Sequence, residues 1–168
     1  MKAVLMSIQP KWCELIAKGE KEIDLRKTAP ALKTPFKCYI YMSQGKLKDL
    51  GTYSDWFYQN RMKVIGEFVC DRIEEYHGGI LEASYIWRKY HKLDLNEEFY
   101  KGTCVSYEEM HDYLEKGKYS EDCKNGYGWH ISDLKIYDTP KELREFRNLQ
   151  GQIIKRPFQS WGYVCTNE

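Results

Sequence analysis

Short segments of strand character, separated by prolines and glycines, run through most of this chain and restrict it to a fold built on sheets. Each segment is either continuously apolar or alternates between apolar and polar residues, as half-buried strands do. The segments are residues 2–7, 21–27, 36–43, 63–76, 126–138 and 160–165. Because long helices do not separate most of them, we expect an α+β fold with a small, partly closed β-barrel flanked by helices.

Short helices are predicted between these segments. Pro10 suits a first helical turn, where its missing N–H is not needed, and Gly19 suits the position just past a helix end, which predicts a helix over 9–19. Further helices are predicted at 54–61 and at 139–146, the latter from a start signal formed by Thr139, Pro140 and Glu142. Gly66 marks a bend or bulge in the long strand predicted over 63–76.

Residues 77–125 differ from the rest of the chain. Residues 94–125 contain 9 acidic residues and 4 lysines, and the spacing of apolar residues is helical. Ser106 and Glu109 have the spacing of a capping box. We therefore expect a helical, acidic insertion at about 77–125 within a single domain that spans residues 1–168.

Composition excludes several classes of protein. No apolar run is long enough to span a bilayer, and the apolar stretch at the N-terminus is too short for a signal peptide, so we expect a cytoplasmic protein that does not enter a membrane. Six cysteines occur without a closely spaced pair, which predicts free thiols rather than a zinc site or disulfides. The chain also lacks a phosphate-binding G-x-x-x-x-G-K-[ST] loop, so we expect neither a metal nor a cofactor.

Charge is distributed unevenly along the chain. The net charge is +1, but residues 1–48 contain 10 lysines and arginines against 4 acidic residues, a balance of +6. A local positive field attracts polyanions even when the whole protein is nearly neutral. A surface that is merely rich in lysine is the alternative.

The stretch GEKEIDLRK, residues 19–27, carries the main candidate site. Lys21 is interpreted either as a fixed cation for a phosphate or, if buried, as a base or nucleophile. Asp24 and Arg26 share one face of the predicted strand, where Asp24 would accept from the amino group of cytosine or adenine and Arg26 would clamp a phosphate. An exposed, weak ion pair and a solvated lysine are the alternatives.

Two further groups of residues are candidates. Ser7, Gln9 and Lys11 flank the start of the 9–19 helix, where free N–H groups favour anions, although Ser7 or Gln9 could instead cap the helix. Alternation places Trp129 and His130 on opposite faces of a strand, so that one would face a ligand and the other the core.

Gly19, Lys21, Asp24 and Arg26 match the pattern G-x-K-x-x-E-x-R with aspartate in place of glutamate. This pattern follows a proline-started helix and precedes the segments VIGEFVCDRI, GYGWHISDLKIYDTPKEL and RPFQSWGYV. In that order the chain resembles the ASCH domain of the PUA-like superfamily, most closely its phage or prophage members, over roughly residues 1–70 and 126–165. The resemblance implies a small PUA-like β-barrel flanked by helices, with a cleft beside the signature.

The resemblance also implies the class of ligand. Relatives bind RNA or modified nucleobases, which makes RNA or a nucleoside the expected partner. Some relatives are similar to an amidohydrolase that removes acyl groups from N4 of cytidine with the signature lysine and a threonine at the place of Asp24, and others are similar to ribonucleases. A protein-interaction domain, with a partner at the acidic insertion, also remains open.

Asp24 bears on the choice between binding and hydrolysis. If the protein is an enzyme, Lys21 and Asp24 are its candidate catalytic residues. A carboxylate near Lys21 favours the ammonium form and should raise the lysine pKa, which makes the lysine a poorer base. We therefore expect weak or absent hydrolysis of N4-acetylcytidine. The alternative is that burial lowers the lysine pKa despite the aspartate, in which case a desolvated pair of Lys21 and Asp24 could still activate water.

Overall fold

The structure of the protein is a computed structural model that describes residues 1–46, 51–77, 102–114 and 125–166. Within these residues the fold is α+β, and sheets form most of its core. The strands are β1 (Lys2–Ile8), β2 (Ile23–Arg26), β3 (Phe36–Met42), β4 (Val64–Cys70), β5 (Ile73–Tyr76), β6 (Gly126–His130), β7 (Ser132–Lys141) and β8 (Trp161–Cys165). The helices are α1 (Pro10–Ala17), α2 (Asp55–Asn60) and α3 (Tyr107–Leu114), and a 3₁₀ turn covers Leu143–Glu145.

The strands form a main sheet in the order β7-β4-β3-β1-β8 and a smaller sheet in the order β2-β6-β5. The pairing of β1 with β3 is parallel, and the other pairings are antiparallel. A parallel pair requires a crossover connection, and here the crossover contains α1 and β2. This connection brings the segment with the candidate residues to the end of β1.

The chain passes from one sheet into the other at two neighbouring bends, one between β4 and β5 and one between β6 and β7. Strand β4 pairs with β7 in the main sheet, and its continuation β5 pairs with β6 in the smaller sheet. The prediction of one long strand over 63–76 is therefore wrong, whereas the strand character predicted for 126–138 is confirmed, divided between β6 and β7. Chains that change sheets do so at bends, and here Nδ1 of His130 lies 2.6 Å from Oδ1 of Asp71, which joins the two bends. The result is a partly closed barrel.

The predicted helix over 139–146 is also wrong. Thr139 and Pro140 belong to β7, which is an edge strand and so tolerates a proline. The capping box that does form links Glu142 with Glu145 around the 3₁₀ turn. The predicted strands at 2–7, 36–43 and 160–165 and the predicted helices at 9–19 and 54–61 are confirmed, with ends that differ by a few residues.

Both faces of the main sheet are buried, which explains its apolar strands. Val4, Met6 and Ile40 belong to a core cluster that also contains residues of α1 and the smaller sheet. Leu5 and Tyr39 face the opposite way and belong to a second cluster with residues of the 143–158 segment.

Helix α3 begins as predicted. The Ser106 backbone N–H donates to Glu109, and the Glu109 N–H donates to the Ser106 hydroxyl, so the capping box is present. Met110 and Leu114 are buried against Leu25 of β2. Most of the predicted acidic insertion, at 78–101 and 115–124, lies outside the described residues, and its helical character there stays a prediction.

Two composition-based expectations concern cysteines and membranes. The five cysteines in the described ranges are free thiols, as predicted. They are Cys13, Cys38, Cys70, Cys104 and Cys165, and Cys123 lies outside the described residues. None of the helices described above is both long and apolar enough to cross a membrane.

Gly66 confirms the predicted bulge, since the registers of β4 with both of its neighbours shift at this point. A Cβ at Gly66 would lie 2.5 Å from the backbone oxygen of Lys135, whereas a Cβ at Gly51 would meet nothing within 4 Å. We expect Gly66→Ala to lower the free energy of unfolding by roughly 1–3 kcal/mol, as other overpacked sites do. Urea unfolding measures this, with Gly51→Ala as the matched control. Equal stability of the two variants would contradict the close approach of β4 and β7.

Candidate functional site

A cavity of about 640 Å³ lies among α1, β2, α3, the end of β1 and the turn before β8. Five of the eight predicted site residues line it: Ser7, Gln9, Lys21, Asp24 and Arg26. The three charged ones are nearly inaccessible, with exposed fractions of 2% for Lys21, 4% for Asp24 and 7% for Arg26. A cavity floor made of buried charges is uncommon unless the charges are paired or functional.

The end of α1 explains how Lys21 reaches the cavity. Gly19 has a φ of 73°, which turns the chain back sharply, as predicted from its place after the helix. The N–H groups of Glu20 and Lys21 both donate to the carbonyl of Leu15. The turn thereby folds Lys21 under the helix, where Nζ lies 4.8 Å from the ring centroid of Trp12.

Arg26 holds the floor of the cavity together. Its Nε donates to Oδ2 of Asp24 at 2.6 Å. Both terminal nitrogens donate to the carbonyl of Ser7 at 3.2 Å, and Nη1 also donates to the carbonyl and hydroxyl of Ser160 at 3.1 and 3.2 Å. The guanidinium is therefore largely engaged by protein acceptors, and its role as a phosphate clamp stays a prediction. The alternative of an exposed ion pair is wrong, because both partners are buried.

Lys21 is held by the segment that precedes α3. Its Nζ donates to the carbonyl of Thr103, which is fully buried. Burial lowers the pKa of Lys21 below its ordinary value of 10.5, and Asp24 acts in the opposite direction without overcoming it. Asp24 acts on this pKa in the expected direction, but the loss of water around the ammonium outweighs the attraction of the carboxylate, which is the alternative that burial left open.

Hydrogen-bonding capacity remains on two of these groups. Among the described residues, no hydrogen bond reaches Oδ1 of Asp24, while Oδ2 accepts from Arg26. An ammonium has three N–H donors, and Lys21 uses one of them on Thr103. The cavity thus presents a free acceptor and free donors from two side chains that the fold holds in place.

A second wall of the cavity, beside Lys21, Asp24 and Arg26, comes from the 102–114 segment. This wall was not predicted from the sequence. Val105, Glu109 and Tyr113 line the cavity there. Nζ of Lys27 lies 5.1 Å from the ring centroid of Tyr113. The spacing of Glu109 and Tyr113, four residues apart on a helix, was the available signal that they share one face.

The other predicted residues at the start of α1 have structural partners. Lys11 does not line the cavity; its Nζ lies 3.3 Å from Oε1 of Glu109 and so joins α1 to α3. The Ser7 hydroxyl donates to the carbonyl of Phe158 at 2.5 Å, and Gln9 is the N-cap residue without a side-chain cap bond. Neither side chain caps the helix, so that alternative is wrong. Gln9 is exposed at the cavity.

Trp129 and His130 lie outside the cavity lining. Trp129 is fully buried, with its ring edge-on to Phe36 at a centroid distance of 5.6 Å. Alternation predicted that one residue of the pair Trp129 and His130 would belong to the core, and Trp129 is that residue. His130 instead contacts Asp71 at the bend between the sheets. In the described ranges no three His, Cys, Asp or Glu side chains are placed to hold a metal ion.

The buried ion pair between Asp24 and Arg26 should contribute to the stability of the fold. We expect Arg26→Ala to lower the free energy of unfolding by about 3–5 kcal/mol, because it leaves the Asp24 carboxylate buried without a partner. The matched control is Lys27→Ala at the neighbouring exposed position, where we expect a change within about 0.5 kcal/mol. Urea unfolding measures both. A loss at Arg26 no larger than that at Lys27 would show that the pair does not hold the site together.

Comparison with known proteins supports the fold. No protein-family model and no curated protein matches the sequence. The solved structure of ASCH from Zymomonas mobilis superposes with a TM-score of 0.60 at 15% identity, covering 97% of this chain and 87% of that chain. A serine-to-alanine mutant of that protein gives a TM-score of 0.54 at 16% identity, covering 97% and 88% of the two chains. A tyrosine-to-phenylalanine mutant gives 0.50 at 17%, covering 98% and 91%. At these identities the likeness concerns architecture, and by architecture the chain has the ASCH fold.

Proposed function

We propose that the protein binds RNA, or a modified nucleobase, in the cavity around Lys21 and Asp24. One observation carries the proposal: a buried carboxylate and a buried ammonium line one cavity, and each keeps unused hydrogen-bonding capacity. Buried polar groups are normally satisfied. A ligand that satisfies these two groups would therefore gain more binding free energy than the same contacts would provide at an exposed surface.

The free groups match one edge of a nucleobase. Oδ1 of Asp24 would accept from an exocyclic amine, and Lys21 would donate to a neighbouring ring nitrogen or carbonyl. Cytosine and adenine present an amine beside an acceptor, whereas uracil lacks the amine. Arg26 contributes indirectly, since its hydrogen bond to Oδ2 fixes the orientation of the Asp24 carboxylate.

Aromatic and basic side chains supply the remaining contacts. Tyr113 lines the cavity and is 40% exposed, so its ring is accessible for stacking with a base. Stacking of this kind contributes about 1–3 kcal/mol per base. Lys27 is exposed and also lines the cavity, where it can contact a phosphate of the same nucleotide. In this proposal Lys27 takes the phosphate role that sequence reasoning gave to Arg26.

We expect Lys21→Met to weaken binding of a short, cytosine-containing single-stranded RNA by about 10-fold or more, since a charge-assisted hydrogen bond contributes roughly 1.5–3 kcal/mol. Lys18→Met is the matched control, because Lys18 is exposed near the end of α1 and does not line the cavity. Fluorescence anisotropy at several salt concentrations measures both affinity and its salt dependence. Lys27→Ala should reduce the salt slope by about one.

Two results would contradict this proposal. One is equal affinity of Lys21→Met and Lys18→Met for every RNA tested. The other is no binding by the native protein at any salt concentration, which would leave the protein-interaction domain as the better reading. Analysis of the RNA after incubation also tests the ribonuclease alternative, because shortened products would appear.

The buried state of Lys21 favours a second candidate, the amidohydrolase. A lysine whose pKa is lowered by burial has a larger neutral fraction near physiological pH, and the neutral amine is the form that acts as a base or nucleophile. Hydrolysis of N4-acetylcytidine would consume one water and release cytidine and acetate. The threonine that relatives use is absent here, and Asp24 would orient the water instead.

If this second candidate holds, turnover of N4-acetylcytidine should rise with pH as Lys21 loses its proton, and it should level off below the ordinary lysine pKa of 10.5. Chromatography of cytidine measures the rate, with Lys21→Met as the inactive variant and Lys18→Met as the control. Turnover that survives in Lys21→Met would exclude the lysine. No turnover by the native protein, together with RNA binding, would leave the binding proposal alone.

The remaining parts of the proposal rest on the sequence. They are one domain over residues 1–168, kinship with phage or prophage proteins, a cytoplasmic location, and a protein partner for the acidic 77–125 region. Each stays a prediction.

A further inference from the structure

A second cavity, of about 250 Å³, opens on the main sheet where β3, β4 and β7 lie side by side. It shares no lining residue with the cavity around Lys21. Tyr39 and Phe146 line it, and their rings meet edge to face at a centroid distance of 4.9 Å. Lys37, Lys135 and Lys141 also line it, and we refer to it as the lysine pocket.

An irregularity in β7 brings two of these lysines together. Between the pairs Val64–Lys141 and Gly66–Ile136, strand β4 advances by two residues while β7 advances by five. A regular strand would separate Lys135 from Lys141 by about 20 Å. Here the three additional residues form an irregularity in β7, and across it Nζ of Lys141 lies 4.7 Å from the ring centroid of Tyr137. Bulges commonly redirect side chains at binding sites.

The acidic residues of the lysine pocket already have partners. Oε1 of Glu67 lies 3.6 Å from Nζ of Lys37, and Oε2 accepts from the Tyr137 hydroxyl at 2.5 Å. Oε1 of Glu145 accepts from the backbone N–H of Glu142 at 2.7 Å.

The other two lysines of the pocket, Lys135 and Lys141, differ from Lys37 in their ion pairing. Among the described residues, Lys135 and Lys141 have no carboxylate within ion-pair distance. Three lysines and two carboxylates line the pocket, and Lys37 offsets the charge of Glu67, so the charges of Lys135 and Lys141 exceed the remaining charge of Glu145. Like charges repel, so this arrangement favours an anion between them.

We propose that the lysine pocket binds a phosphate group, with Lys135 and Lys141 as its principal ligands. Lysine binds phosphate as a point charge, and two lysines from one bulged strand can approach different oxygens. The pocket volume exceeds that of a phosphate alone, and the rings of Tyr39 and Phe146 supply an apolar floor for the group that the phosphate carries. This phosphate belongs either to a small monoester or to the backbone of an RNA.

Titration calorimetry with inorganic phosphate and with phenyl phosphate tests the site. The test variant is the double substitution Lys135→Gln and Lys141→Gln, and Lys155→Gln is the control because Lys155 is exposed and outside the pocket. All three lysines are exposed, so the variants should fold, and thermal unfolding checks this. We expect the double variant to bind phosphate at least about 10-fold more weakly than the control, from the loss of two charge-assisted hydrogen bonds.

RNA binding at several salt concentrations distinguishes the two sources. If the phosphate belongs to RNA, the double variant should lower the salt slope by about two. If it belongs to a small monoester, the RNA slope should not change while phenyl phosphate binding is lost. Because Lys21→Met leaves the lysine pocket intact, phosphate binding by that variant separates this proposal from the fate of the nucleobase cavity. Phosphate affinity that is equal in the double variant and the control would overturn the proposal, and the lysines would then serve to keep the edge strand β7 from pairing with another chain.

Discussion

The hydrogen bonds of Arg26 are the interaction on which the rest of the site depends. Arg26 belongs to β2 in the smaller sheet, and its guanidinium donates to Ser7 at the end of β1 and to Ser160 just before β8. It therefore joins the smaller sheet to the main sheet at the place where the cavity opens. The same group neutralises Asp24, and without it the carboxylate would carry a charge in a region that water hardly reaches.

Desolvation decides what this cavity can do. The exposed fractions of Lys21 and Asp24 are a few per cent, so both groups have lost most of their water, and the protein replaces it only in part. For Asp24 the replacement is an arginine, and for Lys21 it is a single backbone carbonyl of Thr103. This unequal compensation lowers the pKa of Lys21 while leaving it able to donate to a ligand. Nucleobase binding would use the charged ammonium form of Lys21 as a hydrogen-bond donor, and amide hydrolysis would use its neutral amine form as a base or nucleophile.

The 102–114 segment gives the cavity its second wall, and its attachment is distributed over several contacts. Gly102 accepts from the backbone N–H groups of Glu22 and Ile23, Thr103 accepts from Lys21, and Glu109 pairs with Lys11. Lys21 is thus both a cavity residue and part of the attachment. A change at this lysine acts on the ligand and on the wall together, so the exposed control positions are needed to interpret it.

Local sequence patterns were sufficient where local forces dominate. Proline and glycine signals located α1 and its C-terminal turn, alternation placed Asp24 and Arg26 on one face, and the spacing of Ser106 and Glu109 located the start of α3. The pattern around Thr139 and Pro140 failed, since pairing of β7 with β4 outweighed a helix-start signal that involves only a few residues. In sequence, the segments 63–76 and 126–138 look like continuous strands. At a bend between two sheets the chain changes the strand with which it pairs, but its alternation of apolar and polar residues does not change.

By itself, the sequence determined the sheet-based architecture and the grouping of Lys21, Asp24 and Arg26, because periodicity and close spacing are local properties of the chain. Only the tertiary structure decided the roles within that group. Whether Arg26 faces a ligand or two backbone carbonyls depends on Ser7 and Ser160, and Ser160 lies 134 positions away in the chain. The direction in which the Lys21 pKa shifts depends on burial, and the carbonyl that holds the buried ammonium belongs to Thr103, 82 positions away in the chain. Tyr113 is part of the site for the same reason. Contacts between segments that are remote in the chain are set by packing, and a local sequence pattern does not predict them.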